Sequence, residues 1–435
     1  MPLLRNLKNS LRLKFSGGDA NTASIMAEAV FASIVLQLTN PFYQFFAKAM
    51  GAGDAAIGMI SSLPALCALG VLLPLSFRVD CVGNKKQFLM RMILVCGAIL
   101  PVVAMAPLLG KNGYWFFIIG IALWNIPYIS YTITWQSYFS DLFPPNRRSV
   151  PYALRMMMTN IVPVVTITAC ALILSYVCKT NEQKILAYQI FFALAFVASI
   201  FQYQAIKRTN CTGSLTCPAP AQKPPSFFAT FPQAVRELKK NRSFRNFLML
   251  LFVFYFSWQM AWPFFFLYLV NVAGFSEFAK CSADVLSLLA FSLTATFWGK
   301  YIQNKGAQPA TLWGMLGCLT SPFLTVISTN PIPIFAGYII SGATGPGFQL
   351  GLFNDMLDHL PEENKTLNIG IYNTVMQISN FVAPMCGVAL GGIIGIRNTM
   401  FLSSGMRTMS LILFGIRFFL TRRRQKREAQ QPKKA

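Results

Sequence analysis

Several sets of polar and aromatic residues in this 435-residue sequence fall at helical spacing inside apolar runs, where an uncompensated polar group is costly and turns inward. Gln37, Asn40 and Gln44 stand at i, i+3 and i+7, which places three amides on one helix face. Trp124, Tyr128, Tyr131 and Trp135 follow at i, i+4, i+7 and i+11, again a single stripe. Tyr255, Trp258 and Trp262, with Gln259 beside them, form a third set. Gln349 adds one amide further on, and Asn373, Gln377 and Asn380 at i, i+4 and i+7 add a fourth set. Rings with hydrogen-bonding handles beside amides offer stacking area and orientable donors and acceptors, which suits an uncharged or zwitterionic organic solute. Interhelical packing and hydrogen bonding explain the same stripes, the aromatic one above all.

The charges read within the apolar runs are Glu28, Arg155 and Arg407. Glu28 is the candidate for proton coupling, because a carboxylate withdrawn from water can exchange a proton near neutral pH; a snorkelling or ion-paired structural role is the competing reading. Arg407 reads as a packing or interfacial residue. His359, the only histidine, falls in a connection and not in a span. An enzyme working on lipid or isoprenoid substrates would need paired acids, a metal cluster or an activated nucleophile, and no such spacing is found; no cofactor or metal is expected. The ten cysteines show no zinc spacing, and Cys67, Cys96, Cys170, Cys318 and Cys386 sit in apolar runs as small hydrophobes. Cys211 and Cys217 share a long polar connection and read as reduced thiols.

The elements that must carry these residues are membrane helices. The chain is 54% hydrophobic and 12% charged, more apolar surface than a soluble domain can bury. Apolar runs of roughly twenty residues recur, each long enough as a helix to cross about 30 Å of hydrocarbon. Windows place twelve spans near 24–47, 55–77, 87–109, 114–139, 151–177, 185–206, 244–270, 281–300, 309–328, 331–352, 367–392 and 399–420. A net charge of +23 could indicate a nucleic-acid binder, but Lys and Arg concentrate in the connections on one side, the pattern of cytoplasmic positive charge, so nucleic acid is excluded as a partner. Lys48, Lys111, Lys179, Lys184, Lys280 and Arg397 are assigned to the outer side. Both termini then face the cytoplasm of a cell-membrane protein. The domain reading is a basic N-terminal segment 1–21, which lies on the inner leaflet or is disordered, and a six-helix half 22–206. A cytoplasmic linker 207–243, a second six-helix half 244–420 and a basic tail 421–435 complete it.

The halves repeat. Asn40-Pro41-Phe42 corresponds to Trp262-Pro263-Phe264, and Gly51 to Gly274. Ser76, Asp80 and Gly83 correspond at identical spacing to Gly299, Gln303 and Gly306. Asp141 and Pro144, before Arg147 and Arg148, correspond to Asp358 and Pro361, before Lys365. This order suggests duplication of a six-helix unit.

Ser76 to Lys86, S-F-R-V-D-C-V-G-N-K-K, is similar to the loop motif G-x-x-x-D-R-x-G-R-K of the major facilitator superfamily. The resemblance extends over roughly 22–420, and Leu38 to Leu73 also looks like the first two helices of bacterial members. Asp80, Gly83, Lys85 and Lys86 fit the motif; Ser76 replaces its leading glycine and Cys81 its first basic residue. The resemblance implies an all-α membrane protein of twelve helices in two six-helix halves that moves a small organic solute by alternating access. It further implies that Asp80 is a gating latch and that helices one, four, seven and ten line a central cavity. The candidate cavity residues are then Gln37, Asn40, Gln44, Trp124, Tyr128, Tyr131, Trp135, Tyr255, Trp258, Gln259, Trp262 and Gln349, with Asn373 and Gln377 bordering from helix eleven. Span four has no arginine and span five lacks the G-P-x-x-G-G pattern of drug/proton antiporters, which argues against that class. The expected partners are a small-molecule substrate, the lipid bilayer and a coupling proton or sodium ion. A non-cycling transporter-like receptor or scaffold is the alternative, and a lipid-modifying enzyme a weaker one.

Overall fold

The structure, a computed structural model, describes residues 20–78, 84–143, 149–210, 236, 238–359 and 365–430. Every regular element among them is helical. The chain divides into two compact units, Met1–Thr230 and Phe231–Ala435.

Unit 1 holds α1 (Ala20–Thr39), continued through a tight turn Asn40–Phe42 into α2 (Tyr43–Ala49), then α3 (Asp54–Arg78) and α4 (Lys85–Ala104). It ends with α5 (Gly113–Leu142), α6 (Ser149–Leu172) and α7 (Asn181–Lys207). Unit 2 holds α8 (Arg242–Leu267), α9 (Glu277–Lys305), α10 (Ala307–Ile327), α11 (Pro331–His359), α12 (Lys365–Ile394) and α13 (Ile396–Gln430). Pro41 causes the break after α1, since a residue without an N–H interrupts the i to i−4 ladder.

Ten helices among the described residues are long and apolar enough to cross a bilayer. The α3 helix contributes a shorter apolar stretch, Asp54–Leu69. In α11, Gly342, Gly345, Pro346, Gly347 and Gly351 dilute the apolar side chains. The outward surface is greasy, with Leu293 82% and Ile393 80% exposed, while Arg407 is 1% exposed. That inversion of the soluble pattern fits a hydrocarbon solvent.

One boundary differs from the sequence reading, and one helix runs on past its apolar span, which ends at Leu420 as that reading has it. Lys280, assigned to an outer connection, lies in the first turns of α9, because Ser276 caps that helix by accepting from the Ala279 N–H at 3.2 Å. Residues 421–430, read as the start of a tail, continue α13; Arg and Lys are good helix formers and favour the negative C-terminal end of the helix dipole. The basic segment 1–19 and most of the linker, with Cys211 and Cys217, lie outside the described residues.

The internal packing of the two units follows one pattern. In unit 1, α1 runs along α6 and α7, α4 along α5 and α7, and α3 along α5. In unit 2, α8 runs along α12 and α13, α10 along α11 and α13, and α9 along α11. The matched glycines agree in detail. Gly51 (φ +89°) and Gly274 (φ +67°) both hold the left-handed conformation that ends a helix, three residues before the acidic starts Asp54 and Glu277. At Gly51 the Ala52 N–H reaches the Ala47 carbonyl at 3.0 Å, closing the helix end.

Candidate functional site

The aromatic stripe of α5 is a stacked ladder. Trp124 and Tyr128 lie with ring centroids 4.8 Å apart and planes 14° apart, and Tyr128 and Tyr131 follow at 6.2 Å and 30°. Trp124 is buried and its indole N–H donates to the Cys96 carbonyl at 3.0 Å, so it anchors α5 on α4. Tyr128 is half-buried, whereas Tyr131 below it is buried.

The ladder ends on a buried charge cluster. Glu28 of α1 is 0% exposed and accepts from the Tyr131 hydroxyl, from Gln202 Nε2 at 3.3 Å and from Arg155 Nε at 3.3 Å. The Arg155 guanidinium lies 3.6 Å above the Trp135 ring centroid, and Trp135 in turn stacks on Phe139. Four helices, α1, α5, α6 and α7, therefore converge on one carboxylate, whose charge is matched by a single arginine. The Trp135 indole N–H is buried without a hydrogen-bond partner among the described residues. Of the first three amides, Gln37 of α1 and Gln44 of α2 are half-buried and Asn40 is exposed in the turn between them.

In unit 2, Tyr255 is buried and Trp258 half-buried, both packed on Phe348 of α11, Trp258 edge-on at 5.4 Å. Gln259 is half-buried. Trp262, 51% exposed, and Gln349, also exposed, do not join that cluster. Asn373 and Gln377 are half-buried on α12, with Asn380 Nδ2 donating to Gln377 Oε1 at 3.1 Å. Arg407 holds main chain: its Nη1 donates to the Cys318 carbonyl at 2.7 Å and its Nη2 to that of Trp258 at 3.2 Å. The Cys318 carbonyl needs such a donor because Pro322, four residues on, has no N–H to offer it.

The profile of the Major Facilitator Superfamily matches residues 26–283 and 247–435. The chain belongs to that superfamily. It is a family of membrane transporters and not of enzymes, and the chain is a multi-pass membrane protein. A curated relative, the class H tetracycline resistance protein of Pasteurella multocida, is 29% identical over 135 residues; the match spans 31% of this chain and 32% of that protein. Among solved structures, the nucleoside transporter NupG aligns with a TM-score of 0.68 at 10% identity, covering 91% of this chain and 99% of that one. A bacterial homologue of the human lysosomal transporter Spinster aligns at 0.64 and 13% identity, covering 91% and 95%. A peptide transporter of the POT family aligns at 0.68 and 10% identity, covering 92% and 96%. At these identities the structures show the fold.

The superfamily loop motif is described only in part. Asp80 and Gly83 lie outside the described residues. Lys85 opens α4 and pairs with Asp141 at the end of α5, Nζ to Oδ2 2.9 Å. Lys86 Nζ donates to the carbonyls of Lys207 and Thr209 at 2.9 and 2.6 Å, capping α7. Unit 2 repeats the first contact: Gln308, two residues after Gly306 as Lys85 is after Gly83, donates to Asp355 at 3.1 Å. Asp355, one turn before Asp358, whose side chain lies outside the described residues, takes a second bond from Arg417 at 3.2 Å. Since the Asp141 side chain is 36% exposed, Lys85→Gln is expected to lower stability by only about 1 kcal/mol or less, read as a small fall in melting midpoint of the detergent-solubilised protein. A fall of ten degrees would show that the pair holds more than one helix end.

Sequence reasoning passed over Gln202, Lys280, Asp284, Trp298, Asp355 and Arg417. For Asp284 a signal was present: it is an acid inside the predicted eighth span. Trp298 Nε1 and Thr294 Oγ1 both donate to the Ala343 carbonyl at 2.7 Å, tying α9 to α11.

Proposed function

We propose that this chain is a secondary transporter of the cell membrane, with twelve membrane helices in two six-helix halves and both termini cytoplasmic. It moves a small organic solute, uncharged or zwitterionic, by alternating access, and is not an enzyme. The observation that carries the reading is the α5 ladder ending on Glu28: stacking surface runs along one helix face to a buried ion pair. Membership of a transporter superfamily supports it.

The pairing of Glu28 also gives the coupling a form. While Glu28 is ionised it holds α6 through Arg155 and α7 through Gln202; once protonated it loses the ionic part of the first contact, and α6 is released from α1. A proton is the coupling ion in this scheme, and sodium is the alternative because the same carboxylate can ligate it. Asp80 acts as the latch that the superfamily motif implies.

The test is solute counterflow in proteoliposomes loaded with candidate metabolites. Wild-type protein is expected to give saturable counterflow of at least one solute, and Asp80→Asn to slow it several-fold with unchanged insertion. Rates indistinguishable from protein-free liposomes across the panel would defeat the carrier reading, and wild-type flux in Asp80→Asn would remove the latch.

A further inference from the structure

Unit 2 carries a pair of charges inside a span that the ladder and its ion pair do not use. Lys280 and Asp284 lie one turn apart on α9, Nζ to Oδ2 2.5 Å, with side chains 13% and 27% exposed. Each keeps unused bonding capacity. Among the described residues the Lys280 ammonium has no other partner, and Asp284 Oδ1 accepts from none. A third group lies beside the same seam: Tyr338 is one turn from Gly342 on α11 and Asp284 one turn from Ser287 on α9, where the two helices touch, and no hydrogen bond from the Tyr338 hydroxyl is formed among the described residues. The Tyr338 ring meets Phe265 of α8 edge-on at 6.1 Å and packs against the apolar cluster of Leu269, Phe275 and Ile334.

As a helix staple this pair is poorly made. A lysine near a helix N-terminus opposes the helix dipole, and the order Lys then acid at i, i+4 is the weaker of the two. A neutral pair of similar size would serve packing as well at a lower desolvation cost. What the arrangement does offer is a charge balance that constrains any ligand. A bound anion satisfies Lys280 and leaves Asp284 alone, and a bound cation does the reverse. A zwitterion answers both, with its carboxylate on Lys280 and its ammonium between Asp284 Oδ1 and the Tyr338 hydroxyl. The rings of Phe265 and Tyr338 then border the solute's apolar part.

We propose that Lys280, Asp284 and Tyr338 form the charge-reading part of a solute site in unit 2, and that the solute is a zwitterion bearing one ammonium, one carboxylate and an apolar or aromatic part. This deepens the carrier reading and rests on it.

The experiment uses the purified full chain with phenylalanine, leucine, tyrosine and betaine as zwitterions, and with phenylalanine methyl ester and N-acetylphenylalanine as the matching cation and anion. At least one amino acid is expected to raise the melting midpoint, with the ester and the acetyl derivative about tenfold or more weaker. The double variant Lys280→Gln/Asp284→Asn is expected to melt close to wild type, because neither charge is left alone, and to lose the zwitterion shift. Unaltered phenylalanine or leucine binding in that double variant overturns the assignment, and so does a flat response to every zwitterion. Counterflow separates the two readings. A chain that exchanges uncharged solutes while ignoring all zwitterions refutes the assignment and leaves the carrier standing; zwitterion binding with no counterflow of any solute does the reverse.

Discussion

Arg155→Met is expected to destabilise the protein more than Glu28→Gln, by roughly 3–5 kcal/mol, because it leaves the deeper of two paired charges alone. Glu28 is 0% exposed, whereas the Arg155 side chain is 16% exposed and rests on Trp135. Without Arg155 the carboxylate keeps its bonds from Tyr131 and Gln202 but loses the counter-charge that pairs with it among the described residues. Without the Glu28 charge, the guanidinium keeps the face of the indole and some solvent, so the loss is smaller. The double variant Glu28→Gln/Arg155→Met is expected to recover most of the stability, since it removes both desolvated charges together. Melting midpoints of the three variants test this order; Arg155→Met melting with wild type would mean that the pair contributes nothing to the fold. The functional arm is separate. Glu28→Gln is expected to keep counterflow, which needs no driving ion, and to lose solute accumulation under a proton gradient. Undiminished accumulation in that variant would take the proton away from Glu28.

The pairing behind that prediction could not be read from the chain, and the reason is physical. Glu28 and Arg155 are 127 positions apart, and each sits at the end of an apolar run where snorkelling to the interface is as good a solution as pairing. Which helix faces meet is decided by tertiary packing, about which periodicity within one run is silent. Local geometry was legible to the extent that it depends on one helix. The spacing of Trp124, Tyr128 and Tyr131 predicted a single face, and the rings do stack along it. The same spacing could not say that Trp124 would turn its N–H to the Cys96 carbonyl or that Trp262 would stand exposed. The repeat was legible because a left-handed helix end admits few residues, and Gly51 and Gly274 both mark one. Reading hydropathy ahead of capping leaves Lys280 outside the eighth span: Ser276 followed by Glu277 is a helix start, and it puts Lys280 on the same helix as Asp284, which the span already held.

Gly342 is a position in unit 2 where a single added side chain is expected to do large harm. It lies on α11 against α9, where a Cβ would overlap the main-chain carbonyl of Ser287. A side chain in that place could rotate away, but a backbone carbonyl inside a helix cannot, so Gly342→Val must push the two helices apart. The hydrogen bonds from Thr294 and Trp298 to the Ala343 carbonyl sit beside the contact, and the close fits of Gly345 on Phe291 and of Gly347 on Trp298 follow it along the same seam. Overpacking of about 1–3 kcal/mol and the loss of two part-buried hydrogen bonds at about 1 kcal/mol each together predict a fall of roughly 3–5 kcal/mol. The control is Gly405→Ala on α13, where nothing lies within 4 Å of the added carbon; there the gain in helix propensity of up to about 1 kcal/mol is expected to be neutral or favourable. Equal melting midpoints for Gly342→Val and wild type would show that α9 and α11 are not held at this separation. The seam also positions chemistry, because Tyr338 lies one turn from Gly342 on α11 and Asp284 one turn from Ser287 on α9. Spreading the helices therefore moves the phenol away from the carboxylate, and Gly342→Ala, the milder variant, is expected to weaken zwitterion binding before it unfolds the protein.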